Sequence, residues 1–258
     1  MTSSSVADAA LSSSLSITEE TEGVQFRSDM TVELVRSSAK DADVLFAARV
    51  STLGEQSLDE VDTDAQRSAG LIRYLMRDRH GSPFEHNSMT FYVQAPIFVF
   101  REFMRHRIAS YNEESGRYRE LRPVFYVPSA ERKLVQEGKP GHYTFVDGTP
   151  EQHATVVEQT KKSCLAAYEA YQQMLAAGVA REVARGVLPV ATYSSMYVTM
   201  NARSLMNFLS LRTKREGSAY PSFPQREIEM VAEQMEQYWA ELMPVTHAAF
   251  EGCGRVSP

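Results

Sequence analysis

The stretch Arg101–Arg122 reads REFMRHRIASYNEESGRYRELR and concentrates positive charge in a chain that is acidic overall. It contains six arginines within 22 residues, whereas the whole chain has a formal net charge of −6. Basic residues at a helix C-terminus interact favourably with the helix dipole, but that effect explains one or two arginines rather than six. A guanidinium presents paired donors that match phosphate and carboxylate oxygens. The stretch therefore predicts a binding site for a phosphorylated ligand.

Length and composition are those of a globular protein with a single core. The chain has 258 residues, of which 43% are hydrophobic and 23% charged, and no linker-like segment separates two domains. No apolar run approaches the ~20 residues of a membrane span. Because nucleic acids and anionic membranes repel an acidic chain, neither is an expected partner. The local positive charge instead favours a small anionic ligand.

Side chains suited to covalent or metal-based chemistry are sparse. Cys164 and Cys253 form neither a disulfide framework nor a CxxC motif, which indicates a reducing cytoplasm and no thiolate nucleophile. His80, His86 and His106 follow no metal-ligand spacing, so no metal site is expected. The sequence has neither a P-loop nor a glycine-rich dinucleotide fingerprint after a strand. Arginine is therefore the expected anion binder.

The rest of the chain mixes strand-like and helical patterns. Residues 1–24 are rich in serine, threonine and acidic residues and predict a disordered extension, which leaves one folded domain over 25–258. Strands are predicted at 30–35, 87–94, 123–127 and 191–200. Helices are predicted at 41–50, 62–79, from 96 into the arginine stretch, and at 150–177, 180–187, 202–212 and 224–243. Residues 51–64 predict a surface loop or short helix, residues 130–148 predict an exposed loop, and no pattern is clear after 244. The fold class is therefore α/β or α+β.

The spacing within the arginine stretch is more specific than its composition. It follows the pattern RHRxxSxNxxSxRY, carried by Arg105, His106, Arg107, Ser110, Asn112, Ser115, Arg117 and Tyr118. This pattern resembles that of the flavin-dependent thymidylate synthases. Other segments resemble the same family in the same order: AARVS at 47–51, HGSPFEH at 80–86, APIFVFREF at 95–103, REVARGVLP at 181–189 and NARSLMNFLSLR at 201–212. The resemblance covers about residues 32–242, nearly the whole chain.

The resemblance implies a fold and a reaction. The fold is a central, largely antiparallel sheet flanked by long helices, in a single domain that assembles as a homotetramer. The reaction is reductive methylation of dUMP to dTMP. In it 5,10-methylenetetrahydrofolate supplies one carbon, NADPH reduces tightly bound FAD, and the reduced flavin supplies the hydride. The lack of a credible cysteine nucleophile agrees with this chemistry.

The resemblance also implies a set of flavin contacts. These residues are Ser82, Arg105, His106, Arg107, Ile108, Glu113, Asn201, Ala202, Arg203 and Asn207. For two of them a purely structural role stays open. Ser82 could cap the turn before Pro83, and Asn207 could be a surface residue of a helix.

A second implied set binds dUMP, partly from the neighbouring subunit. It comprises Glu102, Phe103, Met104, Arg105, Glu113, Glu114, Ser115, Gly116, Arg117, Arg185 and Arg212. Arg117 and Arg185 suit the 5′-phosphate. Arg212 is the catalytic candidate, because a guanidinium beside the uracil would stabilise the ring as its N3 loses a proton. A terminal helix charge is the alternative role for such an arginine.

Two positions depart from the pattern of some relatives. Glu102 stands where these have glutamine, so a cation partner is expected, namely Arg105 or Arg101. Residues 213–223 contain no histidine, although other relatives have one shortly after the Arg212 position. No flavin-contacting histidine is therefore assigned there.

Two alternatives belong to other functional classes. The arginine stretch could bind RNA, with Tyr111, Tyr118 and Phe125 as stacking aromatics. The interleaved glutamates argue against an arginine-rich RNA-binding protein, because they would repel a phosphate backbone. A plain structural module with a charged helix end is the other alternative, and it leaves the matching segments unexplained.

Overall fold

A computed structural model describes residues 18–53, 65–139 and 142–258. Part of the predicted loop at 51–64 and residues 1–17 of the predicted extension lie outside these ranges. The described residues form two compact units, and each is built from two separate chain segments. The first unit comprises 18–29 and Gly116–Tyr193, and the second comprises Met30–Ser115 and Ser194–Pro258. The divisions fall at 29–30, 115–116 and 193–194, where the sequence shows no linker-like composition.

Strands and helices alternate along the chain. In order they are β1 (Thr18–Thr21), β2 (Val24–Arg27), β3 (Thr31–Ser37), α1 (Asp41–Leu53), α2 (Ala65–Arg77), β4 (Met89–Pro96), α3 (Ile97–Phe103), β5 (Ser110–Glu113), β6 (Val124–Tyr126), β7 (Val135–Lys139), β8 (His142–Val146), α4 (Pro150–Ala176), α5 (Arg181–Ala184), β9 (Tyr193–Met200), α6 (Ala202–Arg212), α7 (Arg226–Leu242) and α8 (Pro244–Gly252). Short 3-10 turns lie at Ser82–Glu85 and Arg185–Val187. The predicted mixture of helices and sheets is confirmed. Among the described helices, none has the length and apolar character needed to cross a membrane.

The second unit is organised around a four-stranded sheet in the order β3-β4-β9-β5. β3 pairs antiparallel with β4, and β5 pairs antiparallel with β9. Alternate side chains of β4, at Met89, Phe91 and Val93, are fully buried, as their period of two predicts. Helix α7 packs against β3, where the Tyr238 hydroxyl donates to the carbonyl of Val32 at 3.4 Å.

The apolar faces of α6 and α7 fill the core beside this sheet. Their fully buried residues are Leu205, Phe208, Leu209, Ile228, Val231, Met235 and Trp239. These agree with the predicted helical spacing. Leu211, near the end of α6, is 54% exposed. Glu236 is buried on the inner side of α7, which the apolar pattern did not indicate.

The first unit contains a three-stranded sheet in the order β1-β2-β6. β1 and β2 are antiparallel, whereas β2 and β6 are parallel. Phe26 and Phe125 are fully buried there, together with Cys164 of the long helix α4. A capping box closes the start of α4, where Thr149 accepts from the N–H of Gln152. Helix α4 confirms the helix predicted from 150 to 177.

Two predictions about this unit were wrong. Residues 18–24 were assigned to the disordered extension, but Thr18–Thr21 pairs with Val24–Arg27, and the buried Val24 and Phe26 explain why this hairpin folds. Residues 130–148 were expected to form a loop, but β7 and β8 pair antiparallel across it. Turn residues such as Gly138 masked the strand signal, since glycine is more often found in turns than in strands.

Two helix ends also differ from their predictions. Helix α3 ends at Phe103, so Arg105, His106 and Arg107 lie beyond it rather than in its last turn. Residues after 244 form α8, for which no pattern was recognised. Pro244 at its first turn and Gly254 after its end are the start and stop signals that mark it.

Candidate active site

The C-terminal end of α3 is capped by a tyrosine rather than by arginines. The Tyr111 hydroxyl lies 3.0 Å from the carbonyl oxygen of Phe103 and 2.6 Å from that of His106. Burial raises the pKa of Tyr111 to about 12, so it remains a donor to these carbonyls. The carbonyls of Phe100, Glu102 and Phe103 also accept backbone N–H bonds from residues 104–106, so Arg105 and Arg107, which are both exposed, are not needed as caps.

Arg212, the last residue of α6, meets two residues from the end of α3. Its Nε donates to Nε2 of His106 at 3.0 Å, and its Nη1 donates to Oε2 of Glu102 at 2.5 Å. Since Nε2 must accept this bond, the imidazole is neutral and carries its proton on Nδ1. Burial, and then the charge of Arg212, lower the pKa of His106 to about 4. The structure thus brings three predicted site residues into one hydrogen-bonded group.

The partner of Glu102 was predicted incorrectly. Arg105 or Arg101 was expected, but the carboxylate pairs with Arg212, 110 positions away in the chain. Arg101 is exposed on α3 and Arg105 follows the helix end, whereas Glu102 is half-buried towards α6. Burial raises the pKa of the Glu102 carboxyl, and the charge of Arg212 opposes that increase.

Aromatic contacts hold this group in place from the core side. The ring of Phe208 in α6 stacks on that of Phe103 with centroids 4.6 Å apart. The edge of the His106 ring meets Phe208 at 4.9 Å. Phe103 was predicted to bind nucleotide, but its side chain is fully buried and packs on Phe208 at the core side of the site. Met104, another predicted nucleotide contact, is 46% exposed.

The start of α6 carries the second group of predicted flavin contacts. The Asn201 side chain accepts from the N–H of Ser204 as the helix cap, and the N–H of the buried Ala202 donates to Asn87 Oδ1 at 2.8 Å. Arg203 pairs with Glu85 and donates from Nε to the backbone oxygen of Pro258 at 2.6 Å. Asn207, further along the helix, is exposed.

Gly81, in the turn before β4, lies directly against the Arg203 side chain. A Cβ on Gly81 would lie 2.5 Å from the Arg203 guanidinium, so only glycine allows the observed approach. Ser82 follows it, is exposed, and makes no capping bond, because Gly81 holds the cap position of the 3-10 turn. The structural role considered for Ser82 is therefore absent. Gly81, Glu85 and Asn87 were missed as supporting residues, although they lie in or beside the segment HGSPFEH.

Glu113 lies on β5 next to β9. Ser194 Oγ donates to its Oε1 at 2.7 Å, so the carboxylate is oriented by a neighbouring strand. The N–H of Glu114 continues the ladder by donating to the carbonyl of Ser195 at 2.9 Å. Both glutamates and the following Ser115 are half-buried in the second unit.

The first unit carries the residues predicted for the phosphate. Arg117 Nε donates to Glu182 Oε2 at 3.0 Å, and both side chains are 54% exposed. The buried Gly116 packs beside the stem of Arg185, since an added Cβ would lie 3.2 Å from its Cδ. Arg185 is exposed. Both arginines predicted for the phosphate thus lie in this unit, and Arg117 pairs there with Glu182.

The exposed residues after α3 fit a flavin nucleotide. Arg105 and Arg107 present two guanidiniums, and Ile108 between them and β5 is 78% exposed. A pyrophosphate needs donors of that kind, and a flat ring needs apolar surface. A thiol mechanism fits poorly, because Cys164 is buried and burial raises its pKa to about 11.

Comparison with known proteins decides the family. The family model described as "Thymidylate synthase complementing protein" matches residues 33–245. A Streptomyces coelicolor protein named flavin-dependent thymidylate synthase is 72% identical over 91% of this chain and 96% of its own length. The chain belongs to the flavin-dependent thymidylate synthase family. A family member from Tropheryma whipplei is 62% identical over 90% of this chain and 97% of its own length.

Solved structures agree with membership of the flavin-dependent thymidylate synthases. PolB from Streptomyces cacaoi, described as a UMP/dUMP methylase, was solved with 5-Br UMP and with 5-Br dUMP. The first structure has a TM-score of 0.84 at 60% identity, over 91% of this chain and all of that one. The second has a TM-score of 0.86 at 62% identity, over 90% of this chain and 99% of that one. The enzyme family predicted from the RHR pattern is confirmed.

The alternative of an RNA-binding patch was wrong. It required Tyr111, Tyr118 and Phe125 to present their rings to bases. Phe125 is fully buried, and Tyr111 is half-buried with its hydroxyl bonded to the carbonyls of Phe103 and His106. Tyr118 remains exposed, but one ring does not make a stacking surface.

Proposed function

We propose that this protein reductively methylates dUMP to dTMP, with 5,10-methylenetetrahydrofolate as the one-carbon donor, FAD as the bound flavin and NADPH as the reductant. The observation that carries the proposal is Arg212, bonded to His106 and Glu102 beside the exposed Arg105 and Arg107. A fixed cation beside a nucleotide-binding surface suits a reaction in which negative charge develops on a base. Family membership and the nucleotides bound to PolB support this assignment.

The flavin would be held by residues from both sides of the α3–α6 contact and from the turn before β4. They are Ser82, Arg105, His106, Arg107, Ile108, Glu113, Asn201, Ala202, Arg203 and Asn207. Once reduced by NADPH, bound FAD would supply the hydride that completes the methyl group. His106, being neutral, offers a polar ring without adding charge to the site. Arg105 and Arg107 supply the donors for the pyrophosphate.

The nucleotide would be held by Glu102, Phe103, Met104, Arg105, Glu113, Glu114, Ser115, Gly116, Arg117, Arg185 and Arg212. Arg117 and Arg185 bind the 5′-phosphate, and the exposed Glu182 pair is weak enough to be exchanged for it. Phe103 acts by supporting the site rather than by touching the ligand, because it is fully buried. This changes its expected role without removing it from the site.

Arg212 is the proposed catalytic residue. His106 and Glu102 occupy its Nε and Nη1, and among the described residues Nη2 makes only a 3.5 Å contact to the Glu102 carbonyl. Nη2 is thus the donor left for a uracil oxygen. A guanidinium stays protonated at neutral pH, so it stabilises the anionic ring and does not remove the N3 proton. The 20% exposure of its side chain strengthens such an interaction relative to open water.

The proposal extends to assembly and location. We expect a cytoplasmic homotetramer in which neighbouring subunits complete each active site. An isolated subunit would then bind ligands poorly and show no turnover. The reducing cytoplasm agrees with two free cysteines in the chain.

One set of measurements tests the function. The purified protein is expected to contain FAD, whose visible absorption bleaches with NADPH, and to release tritium from 5-tritiated dUMP when methylenetetrahydrofolate is added. UMP should be assayed in parallel, because PolB is described as acting on both nucleotides. A protein that neither binds added FAD nor releases tritium from either nucleotide contradicts the proposal.

A further inference from the structure

Helix α8 ends in a chain reversal that directs Arg255 back into the second unit. The Arg255 N–H donates to the Phe250 carbonyl at 2.9 Å, and the Gly254 N–H donates to the Glu251 carbonyl at 3.2 Å. These two bonds form a Schellman motif, with Gly254 at a φ of +75°. The Arg255 guanidinium lies 5.0 Å from the Phe250 ring centroid, which gives the motif its usual side-chain contact.

Arg255 combines two unfavourable features. Its φ of +57° is uncommon for any residue other than glycine, and its side chain is only 3% exposed. Its Nη1 donates to Glu236 Oε1 at 2.7 Å and also pairs with Glu251. Glu236 has further partners in Arg215, at 3.6 Å, and His247, at 3.2 Å. Several basic residues therefore share the charge of Glu236. The pairing with Glu236 does not by itself explain why Arg255 is buried in this conformation.

The other end of the Arg255 fork reaches the residue after α6. Its Nη2 donates to Thr213 Oγ1 at 2.8 Å. The Thr213 hydroxyl in turn donates to the Leu209 carbonyl at 2.7 Å, and the Thr213 carbonyl accepts from Ser222 at 2.5 Å. Thr213 is 1% exposed. It is thus fixed both through its side chain and through its backbone.

Thr213 directly follows Arg212 and ends α6 in an extended conformation, with φ −126° and ψ 143°. Fixing Thr213 therefore constrains the neighbouring Cα of Arg212, from which the guanidinium reaches both His106 and Glu102. We propose that Arg255 is a positioning residue for Arg212. It holds the end of α6 through Thr213, so that the guanidinium remains on His106 and Glu102. The inference rests on the proposed function, because it assigns that positioning to catalysis.

The first variant is Thr213→Val, which keeps the shape of the side chain and removes the oxygen that accepts from Arg255 and donates to Leu209. We expect kcat for dUMP to fall about tenfold to a hundredfold, because small misplacements of a catalytic group have effects of that size. FAD content should stay at the wild-type level. Thr213→Ser retains the hydroxyl and should restore most of the loss. Arg226→Ala is a control, since Arg226 pairs with Glu229 and Glu233 of α7 and makes no ion pair with Glu236 or Glu251.

A spectroscopic measurement separates this inference from the proposed function. The Nε2 nitrogen shift of isotope-labelled His106, assigned with a His106→Gln variant, reports whether Arg212 still donates to the ring. In Thr213→Val the shift should move towards that of an imidazole nitrogen without a donor, and in Thr213→Ser and Arg226→Ala it should match the wild type. This readout is informative even if the wild-type protein does not turn over dUMP.

The outcomes are distinct. A Thr213→Val protein with wild-type kcat, or with reduced kcat but an unchanged His106 signal, overturns the positioning role. The double variant Arg255→Gln/Glu236→Gln tests the arginine itself, and it also replaces Thr213→Val if that protein does not fold, because it removes both buried charges together. Glutamine lacks the fork that joins Glu236 to Thr213, so the same kcat loss and His106 shift are expected, and their absence contradicts the inference.

Discussion

Arg212 Nε donates to His106 Nε2 across 3.0 Å, so the guanidinium charge acts directly on the protonation of the imidazole. The arginine remains charged, and that charge together with burial keeps the histidine neutral. The neutral ring then accepts the hydrogen bond that orients the arginine. Each residue thereby maintains the state that the other requires.

Removal of Arg212 is expected to impair chemistry more than binding. Losing one preorganised donor costs ~3 kcal/mol, or about a hundredfold in rate. Arg212→Ala should therefore lose single-turnover dTMP formation by about that factor while retaining FAD. Arg212→Lys should recover little, because a point charge does not reproduce the planar fork. Arg101→Ala, which removes an exposed arginine from α3, is the control. A near-normal single-turnover rate for Arg212→Ala would reduce the residue to a helix-end charge.

His106 should make stability depend on pH in a defined window. Its pKa is about 4 in the folded protein and about 6.5 in an unfolded chain, so between these values the unfolded state binds more protons. Stability from this group is therefore complete above pH 6.5 and falls as the pH drops towards 4, by ~3 kcal/mol in total. Urea unfolding from pH 4 to 7 should show a smaller slope for His106→Gln than for the wild type. Equal slopes would show that His106 titrates normally in the folded state.

Gly81→Ala tests the approach of Arg203 to the turn before β4. The added methyl group would lie 2.5 Å from the guanidinium, which must move away from Glu85. Because the moving group is the end of a flexible side chain, we expect less than ~1 kcal/mol of destabilisation but about tenfold weaker FAD binding. Titration of apoprotein with FAD measures the effect. Gly70→Ala on α2, where nothing lies within 4 Å of the added Cβ, should bind FAD normally. Unchanged FAD affinity in Gly81→Ala would remove Arg203 from the flavin site.

Turnover should not depend on either cysteine. We expect the double variant Cys164→Ala/Cys253→Ser to release tritium from 5-tritiated dUMP at nearly the wild-type rate. Alanine is chosen at 164 because a hydroxyl buried there would lack a partner. A folded, FAD-loaded double variant without turnover would show that a thiol takes part in the reaction.

Shared active sites predict complementation between inactive variants. Arg117→Ala and Arg212→Ala subunits, unfolded together and reassembled, should recover part of the activity in hybrid tetramers whose sites carry neither lesion. Native mass spectrometry would verify the mixing. If verified hybrids stay inactive, one subunit supplies both arginines to each site.

Local sequence patterns predicted most of the helices and strands, but they did not predict contacts between residues that are far apart in the chain. The alternation of Met89, Phe91 and Val93 is enough to specify β4, because burial on one face of a strand follows a period of two. The pairing of Glu102 with Arg212 joins residues 110 positions apart, and the sequence offered nearer arginines of equal chemistry. The parallel pairing of β2 with β6 was missed for the same reason, because the residues of Val24–Arg27 do not indicate which strand pairs with them.

The sequence predicted which residues belong to the candidate site, but it did not predict which of them contact one another. Spacing alone identified Arg105, His106 and Arg107, yet it did not show that Tyr111 would cap α3. Gly81 acts by allowing the Arg203 side chain close to its backbone, and Thr213 acts through the hydrogen bonds of its hydroxyl. Neither role can be recognised from amino-acid composition. Their roles depend on which surfaces meet after folding.

The different exposure of the arginines has a consequence for ionic strength. Arg117 and Arg185 are exposed, so their attraction for the 5′-phosphate of dUMP is screened over a Debye length of about 8 Å at physiological salt. The Arg212–Glu102 pair is largely enclosed, with side chains 20% and 26% exposed, and salt reaches it far less. Raising the salt concentration should therefore weaken the binding of dUMP but leave the reaction of bound dUMP unaltered. KM for dUMP should rise with salt, and kcat should stay nearly constant.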